Sequence, residues 1–99
     1  MADSEKLARI FKLMSVDTRV RMMQLLKRRC LCVNALARAL GITPAAVSQH
    51  LRVLRDAGIV RADKRGYFVH YCINKETLAR WREAADRLLQ TQESHHKGQ

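Results

Sequence analysis

The side chains with the most chemical reach in this chain are three cysteines, a histidine near one of them, and a polar stripe at mid-sequence. Cys30 and Cys32 are separated by one residue, and Cys72 follows His70 by two positions. Thiolates are soft ligands suited to As(III), Cd(II), Pb(II), Cu(I) and Zn(II). The neighbouring Arg28 and Arg29 favour the thiolate, which is also the form that reacts with oxidants and persulfides. Residues two apart on a helix point to nearly opposite sides, so joint chelation by Cys30 and Cys32 requires an extended or distorted backbone. His70 and Cys72 share a face on a strand, but no third ligand accompanies them. Free cysteines are also commonly small buried hydrophobes, and that reading stands beside the chemical ones. A thiol enzyme is disfavoured because no positioned base or Gly-rich loop accompanies the cysteines.

The polar stripe is Ser48, Gln49 and Arg52, with Ala45 before it. It lies opposite Val47, Leu51 and Leu54, which recur at helical spacing. Such a helix, short and polar on its outer side, fits a major groove about 12 Å wide, where Gln and Arg read base edges. An ordinary solvated amphipathic helix has the same pattern, so the flanking elements decide. Thr43 and Pro44 form an N-cap and first-turn pair, and Thr43 is placed to meet a phosphate at the helix N-terminus. Upstream, Val33, Leu36 and Leu40 form a short apolar-periodic helix that Gly41 ends. Two short helices joined by a Gly-containing turn make a helix-turn-helix. His50, on the second of them, reads as a helix-packing or DNA-facing residue.

After Gly58 the period changes from helical to alternating. Ile59 to Ala62 reads as a strand, Asp63 to Gly66 as a turn, and Tyr67 to Ile73 as the returning strand. Tyr67, Val69, Tyr71 and Ile73 share one face, with Phe68, His70 and Cys72 on the other. Lys64 and Arg65 at the tip would touch the phosphate backbone or enter the minor groove. Arg61 offers a further phosphate contact, and Arg55 reads as a solubilising charge. Before the motif, Asp3 or Ser4 caps a first helix carrying Leu7, Ile10, Phe11 and Met14. Asp17 caps a second, with Val20, Met23 and Leu25 or Leu26 inward and Arg19, Arg21, Lys27 and Arg28 outward. A last helix from about Lys75 carries Leu78, Trp81, Ala85 and Leu88.

The chain has 99 residues, 19 Lys plus Arg against 9 Asp plus Glu, and a formal net charge of +10, which implies a polyanionic partner. Apolar residues make up 47%, enough for one packed domain but marginal without a second copy. No apolar run approaches the roughly 20 residues that cross a bilayer, and MADSEKLAR lacks the apolar core of a secretory signal. Three cysteines cannot all pair within one chain, so reduced thiols in a cytoplasm are expected rather than a disulfide scaffold.

The segment VNALARALGITPAAVSQHLRVLRDAGIV, Val33 to Val60, followed by RGYFVHYCI, resembles the ArsR/SmtB family of bacterial winged-helix repressors. DTRVRMMQLL is similar to that family's second-helix motif, and the likeness spans roughly Leu7 to Leu89. The resemblance implies a homodimer that binds an operator and releases it when an effector binds. It also implies an interface built from the first and last helices, here Leu7, Phe11, Met14, Leu78, Trp81, Ala85 and Leu88. Thiol-binding members carry Cys-Val-Cys before the turn. Aligned on Val33 and Leu36, Cys32 takes the first cysteine's place, while Asn34 and Ala35 stand where a cysteine and an aspartate are usual. The zinc site that some relatives place on the last helix lacks its histidines here, since that helix offers only Glu76, Glu83 and Asp86. His95 and His96 in the tail are a weak metal-binding pair.

The expectation is therefore a mainly α winged helix-turn-helix with one β-hairpin, dimeric through its first and last helices. Residues 1–90 form the DNA-binding and dimerisation domain and residues 91–99 a flexible polar tail. The function expected is a non-enzymatic transcriptional repressor on double-stranded DNA with an inverted-repeat operator, and no membrane partner. The DNA contacts are Thr43, Ala45, Ser48, Gln49, His50, Arg52, Lys64 and Arg65. Cys30 and Cys32 are the candidates for a thiophilic metal or metalloid effector, or for a thiol-reactive one, with no other cofactor implied. The alternatives are a winged-helix DNA-binding protein with no cysteine-based effector, and a non-specific architectural DNA binder.

Overall fold

The computed structural model describes residues 3–91. The tail from 92 onward, including His95 and His96, lies outside them. The elements run α1 (Asp3–Leu13), α2 (Asp17–Leu26), β1 (Leu31–Cys32), α3 (Val33–Leu40), α4 (Pro44–Asp56), β2 (Val60–Arg65), β3 (Phe68–Ile73) and α5 (Lys75–Leu89). The three strands form one antiparallel sheet in the order β1-β3-β2.

The core is built where α2, α3, α4 and the base of the hairpin meet. Met22, Leu36, Val47, Leu51, Leu54, Ile59 and Val60 are all at most 2% exposed. Burying an aliphatic side chain of this size stabilises by about 1.5–3 kcal/mol, so this cluster carries most of the fold. The inward face of α2 is centred on Met22 and the expected Leu26, with the expected Met23 half-buried against the same core, whereas Val20 is exposed. Asp17 does not cap α2: Val16 holds the cap position without a side-chain bond, and Asp17 sits in the first turn, where its charge suits the helix dipole.

Local chemistry sets the helix-turn-helix as its sequence requires. Gly41 leaves α3 at φ 70 in the left-handed region, and its N–H donates to the Ala37 carbonyl at 2.9 Å. Thr43 Oγ1 accepts the Ala46 N–H at 3.1 Å with Pro44 at the first position. A cap the sequence reading missed opens α5, where Asn74 Oδ1 accepts the Thr77 N–H at 3.3 Å.

The hairpin is longer and tighter than its composition suggests. Asp63, Lys64 and Arg65 are strand residues paired with His70, Val69 and Phe68, and the turn is only Gly66-Tyr67. Gly66 has φ 63 while Tyr67 keeps a negative φ, the pattern of a two-residue turn with glycine first, whose twist matches the strands. Burial along β3 follows distance from the core, not face. Phe68 is exposed, His70 and Tyr71 are half-buried, and Cys72 is buried.

The sequence reading missed β1 altogether. Leu31 pairs with Tyr71 and Cys32 with His70, so the chain enters α3 extended. Continuing that register puts Cys30 opposite Cys72, and the two form a disulfide with a Cα–Cα distance of 4.4 Å. The distance is that of a close, non-hydrogen-bonded antiparallel pair. The expectation of reduced, unpaired thiols at all three cysteines is corrected accordingly, and Cys32 remains the free thiol.

Helices α1 and α5 lie at the margin of this core, reaching it through Leu13 and Leu78. They pack on each other through Phe11 and Trp81, whose rings meet edge-on at 5.8 Å and 69°. Yet neither helix buries a residue fully among those described. The radius of gyration is 16.4 Å, against about 13 Å for a compact domain of this length.

Candidate nucleic-acid interface

The outer stripe of α4 is what its period dictates. Val47, Leu51 and Leu54 are buried, which forces Ala45, Ser48, Gln49 and Arg52 outward, and all four are exposed. These are positions i, i+3, i+4 and i+7, one continuous face of small and hydrogen-bonding groups. Thr43 is exposed at the head of the same helix. Its oxygen is engaged as an acceptor by the cap, which leaves the hydroxyl proton available as a donor to phosphate.

On the hairpin, Lys64 and Arg65 are exposed. Arg65 is held by its own strand, with Nε and Nη2 donating to Asp63 Oδ2 at 3.2 and 3.1 Å. An exposed pair of this kind is weak, so Arg65 can exchange Asp63 for a phosphate at little cost. Tyr67 is 99% exposed and Phe68 63% exposed. The aromatic tip was missed because Asp63 to Gly66 read as the turn; the signal was the glycine, which marks the first of two turn positions.

His50 occupies a different place from the other expected contacts. It is half-buried, and its Nδ1 accepts the Arg19 Nε–H at 3.2 Å, while Arg19 Nη1 donates to the Leu13 carbonyl at 3.2 Å. Burial first, and then the Arg19 charge, hold its pKa below the usual 6.5, so the neutral imidazole is favoured. Arg19, expected to point outward, instead ties α4 to α2 and to the end of α1. This makes His50 a strut for the recognition helix.

The structure does not bring Cys30 and Cys32 together as a chelating pair, because Cys30 is bonded to Cys72. Among the described residues, no group of three His, Cys, Asp or Glu side chains is placed to hold a metal ion. Of the seven residues expected at a dimer interface, Phe11 and Leu88 are exposed and Leu7, Met14, Leu78, Trp81 and Ala85 half-buried. Among the described residues, the Trp81 Nε1–H is buried with no acceptor.

A helix-turn-helix with an exposed reading face, flanked by a basic hairpin, defines a winged helix-turn-helix protein. Residues 17–62 match the profile of the bacterial regulatory protein arsR family. The chain is 33% identical over 89 residues to a transcriptional repressor SmtB homolog of Synechocystis, covering 89% of this chain and 67% of that protein. It is 38% identical over 76 residues to the arsenic resistance transcriptional regulator ArsR1 of Pseudomonas putida, covering 76% of this chain and 59% of that one. Among solved structures, a homodimeric winged helix-turn-helix DNA-binding domain from Mycobacterium bovis superposes with a TM-score of 0.70 at 29% identity, covering 87% of this chain and 83% of that chain. The chain belongs to the arsR family of bacterial regulatory proteins. It spans between about three fifths and two thirds of the length of the two curated relatives named.

Proposed function

We propose that this protein is a homodimeric, sequence-specific transcriptional repressor that releases its operator when an effector binds. The observation that carries the reading is the α4 stripe of Ala45, Ser48, Gln49 and Arg52, exposed in full while the opposite stripe is buried. Gln49 and Arg52 supply the hydrogen-bonding heads that distinguish bases in a major groove. Thr43, Lys64, Arg65 and the net charge of +10 supply the sequence-independent phosphate contacts.

Dimerisation is supported by the exposed Phe11 of α1 and the exposed Leu88 and Leu89 of α5. A second copy related by a two-fold axis covers both helices and presents two recognition helices to an inverted repeat, about 34–36 Å apart. Residues 1–90 carry both roles, in the cytoplasm, where the DNA is. Among the described residues no helix is long and apolar enough to cross a membrane. The effector is a thiol-reactive species, acting on the Cys30–Cys72 bond or on the free Cys32 thiol. Its coupling to DNA release of about 1–3 kcal/mol changes affinity roughly 5–150-fold.

The residue-level test is fluorescence anisotropy with an inverted-repeat duplex selected from random sequence. Gln49→Ala and Arg52→Ala are each expected to weaken binding by about 1–3 kcal/mol on the selected duplex and far less on scrambled DNA. Equal losses on both duplexes would show that α4 reads no bases.

A further inference from the structure

The Cys30–Cys72 bond does not sit on an ordinary stretch of surface. It lines a cavity of about 720 Å³ between the end of α2, the base of β3 and α5, within the range of small-molecule sites. Six cationic side chains line that cavity, Lys27, Arg28, Arg29, Arg61, Lys75 and Arg82, against the single carboxylate of Asp86. All six are exposed, and the half-buried Trp81 contributes an apolar wall. The two sulfurs are not equally open. Cys72 is 3% exposed, held in the central strand of the sheet, whereas Cys30 is half-buried in the segment that leaves α2.

We propose that this cavity is a thiol–disulfide exchange site for small anionic thiols and their disulfides, with Cys30 as the sulfur attacked and Cys72 as the leaving sulfur. A thiolate RS⁻ attacks Cys30 Sγ in line with the bond. The R–S–S–Cys30 bond forms, the Cys30–Cys72 bond breaks, and the electron pair departs on Cys72 as a thiolate. A second RS⁻ attacks the sulfur of the R group, releasing RSSR and the Cys30 thiolate. The protein gains two electrons, and two thiols are oxidised to one disulfide. Run backwards, RSSR accepts those two electrons and restores the bond. The cationic rim concentrates the anionic nucleophile and stabilises the departing thiolate. The steric asymmetry selects the sulfur, because only Cys30 can be approached without moving the sheet.

The cavity shares Leu78, Trp81 and Ala85 with the α5 face proposed to meet a second copy, so dimerisation and the access of a thiol to Cys30 are coupled. The bonded residues enclose β1, α3, α4, β2 and most of β3 in one covalent loop. The state of the bond therefore sets whether the exit of α2 is tied to the hairpin covalently or through the β1–β3 pairing alone.

The test uses the oxidised full chain and three thiols of nearly equal size: 2-mercaptoethanesulfonate, 2-mercaptoethanol and cysteamine. Samples are quenched by acid and alkylation, adducts are mapped by peptide mass spectrometry, and rates are expressed per thiolate present. At low ionic strength the expected order is sulfonate, then neutral, then ammonium. The extremes should differ by about tenfold or more, and the spread should collapse near 1 M salt. The first adduct is expected on Cys30. Replacing Arg29 and Arg61 by glutamine should narrow the spread, slowing the sulfonate thiol most, the uncharged thiol less and the ammonium thiol least. Equal rates for the three thiols, a first adduct on Cys72, or peptide maps in which Cys30 is not joined to Cys72 would each overturn the proposal.

Discussion

Reducing the Cys30–Cys72 bond removes a cross-link between residues 42 positions apart. In the chain-entropy treatment, a loop of that length restricts the unfolded chain by about 4 kcal/mol at 25 °C. Cys72 stays buried as a thiol in the reduced protein, so no transfer energy is lost on its account, and the expected loss of stability is about 3–4 kcal/mol. With a urea slope of about 1.5 kcal/mol/M for a chain of this size, the unfolding midpoint falls by about 2–3 M. The measurement is urea unfolding followed by far-ultraviolet circular dichroism, with and without reductant, at one fixed protomer concentration because a dimer's stability depends on it. Cys30→Ala should be insensitive to reductant, and Cys32→Ala should respond as fully as the wild type. The reasoning fails if reductant shifts the wild type no more than Cys30→Ala, or if Cys32→Ala loses the response.

Three further outcomes follow from single contacts. Leu51→Ala empties a site 1% exposed at the centre of the α3–α4 packing and should lower unfolding free energy by about 2–5 kcal/mol in the same urea assay. Thr43→Ala removes the acceptor for the Ala46 N–H and should lower it by about 1 kcal/mol, whereas Thr43→Ser should retain most of that. His50 titrates lower in the folded chain than its ordinary 6.5, so the unfolded chain takes up the proton first as pH falls. Stability should therefore decline as pH drops from 7 through 6.5 and below, down to the folded-state pKa, and His50→Gln should flatten that part of the profile. An unchanged slope in the variant would remove His50 as the cause.

Helix-forming signals were the most legible part of the chain because they are local. Gly41, Thr43 and Pro44 fix the turn between α3 and α4 through their own backbone and side-chain preferences, without help from elsewhere. The buried stripe of Val47, Leu51 and Leu54 then determines which side chains of α4 must face out. The hairpin was less legible, because Asp63-Lys64-Arg65-Gly66 has the composition of a turn. The pairing of Arg65 with Phe68 carries the strands through Asp63, Lys64 and Arg65, beyond the packed core, where charged residues are tolerated on both faces.

What depended on distant partners could not be read. A two-residue strand such as β1 has no periodicity to detect, and it exists only because β3 lies beside it. The Cys30–Cys72 pairing rests on that strand, and so sequence spacing pointed to Cys30 with Cys32 instead. Arg19 looked like one more solvated charge on α2, since nothing local shows that His50, 31 positions away, comes within hydrogen-bonding distance. The exposure of Phe11 and Leu88 was legible as a stripe, but only the surrounding fold shows that the core does not cover it.

On the proposed function, α4 reads sequence while the hairpin and the net charge supply affinity. The most direct measurement is the anisotropy of the protein on a selected inverted repeat and on a scrambled duplex of the same composition, titrated between about 50 and 200 mM salt. A preference of about 10³-fold or more for the inverted repeat is expected at each salt concentration, with both affinities falling steeply as salt rises. Equal affinity for the two duplexes would contradict it and leave a basic protein that binds DNA by charge alone.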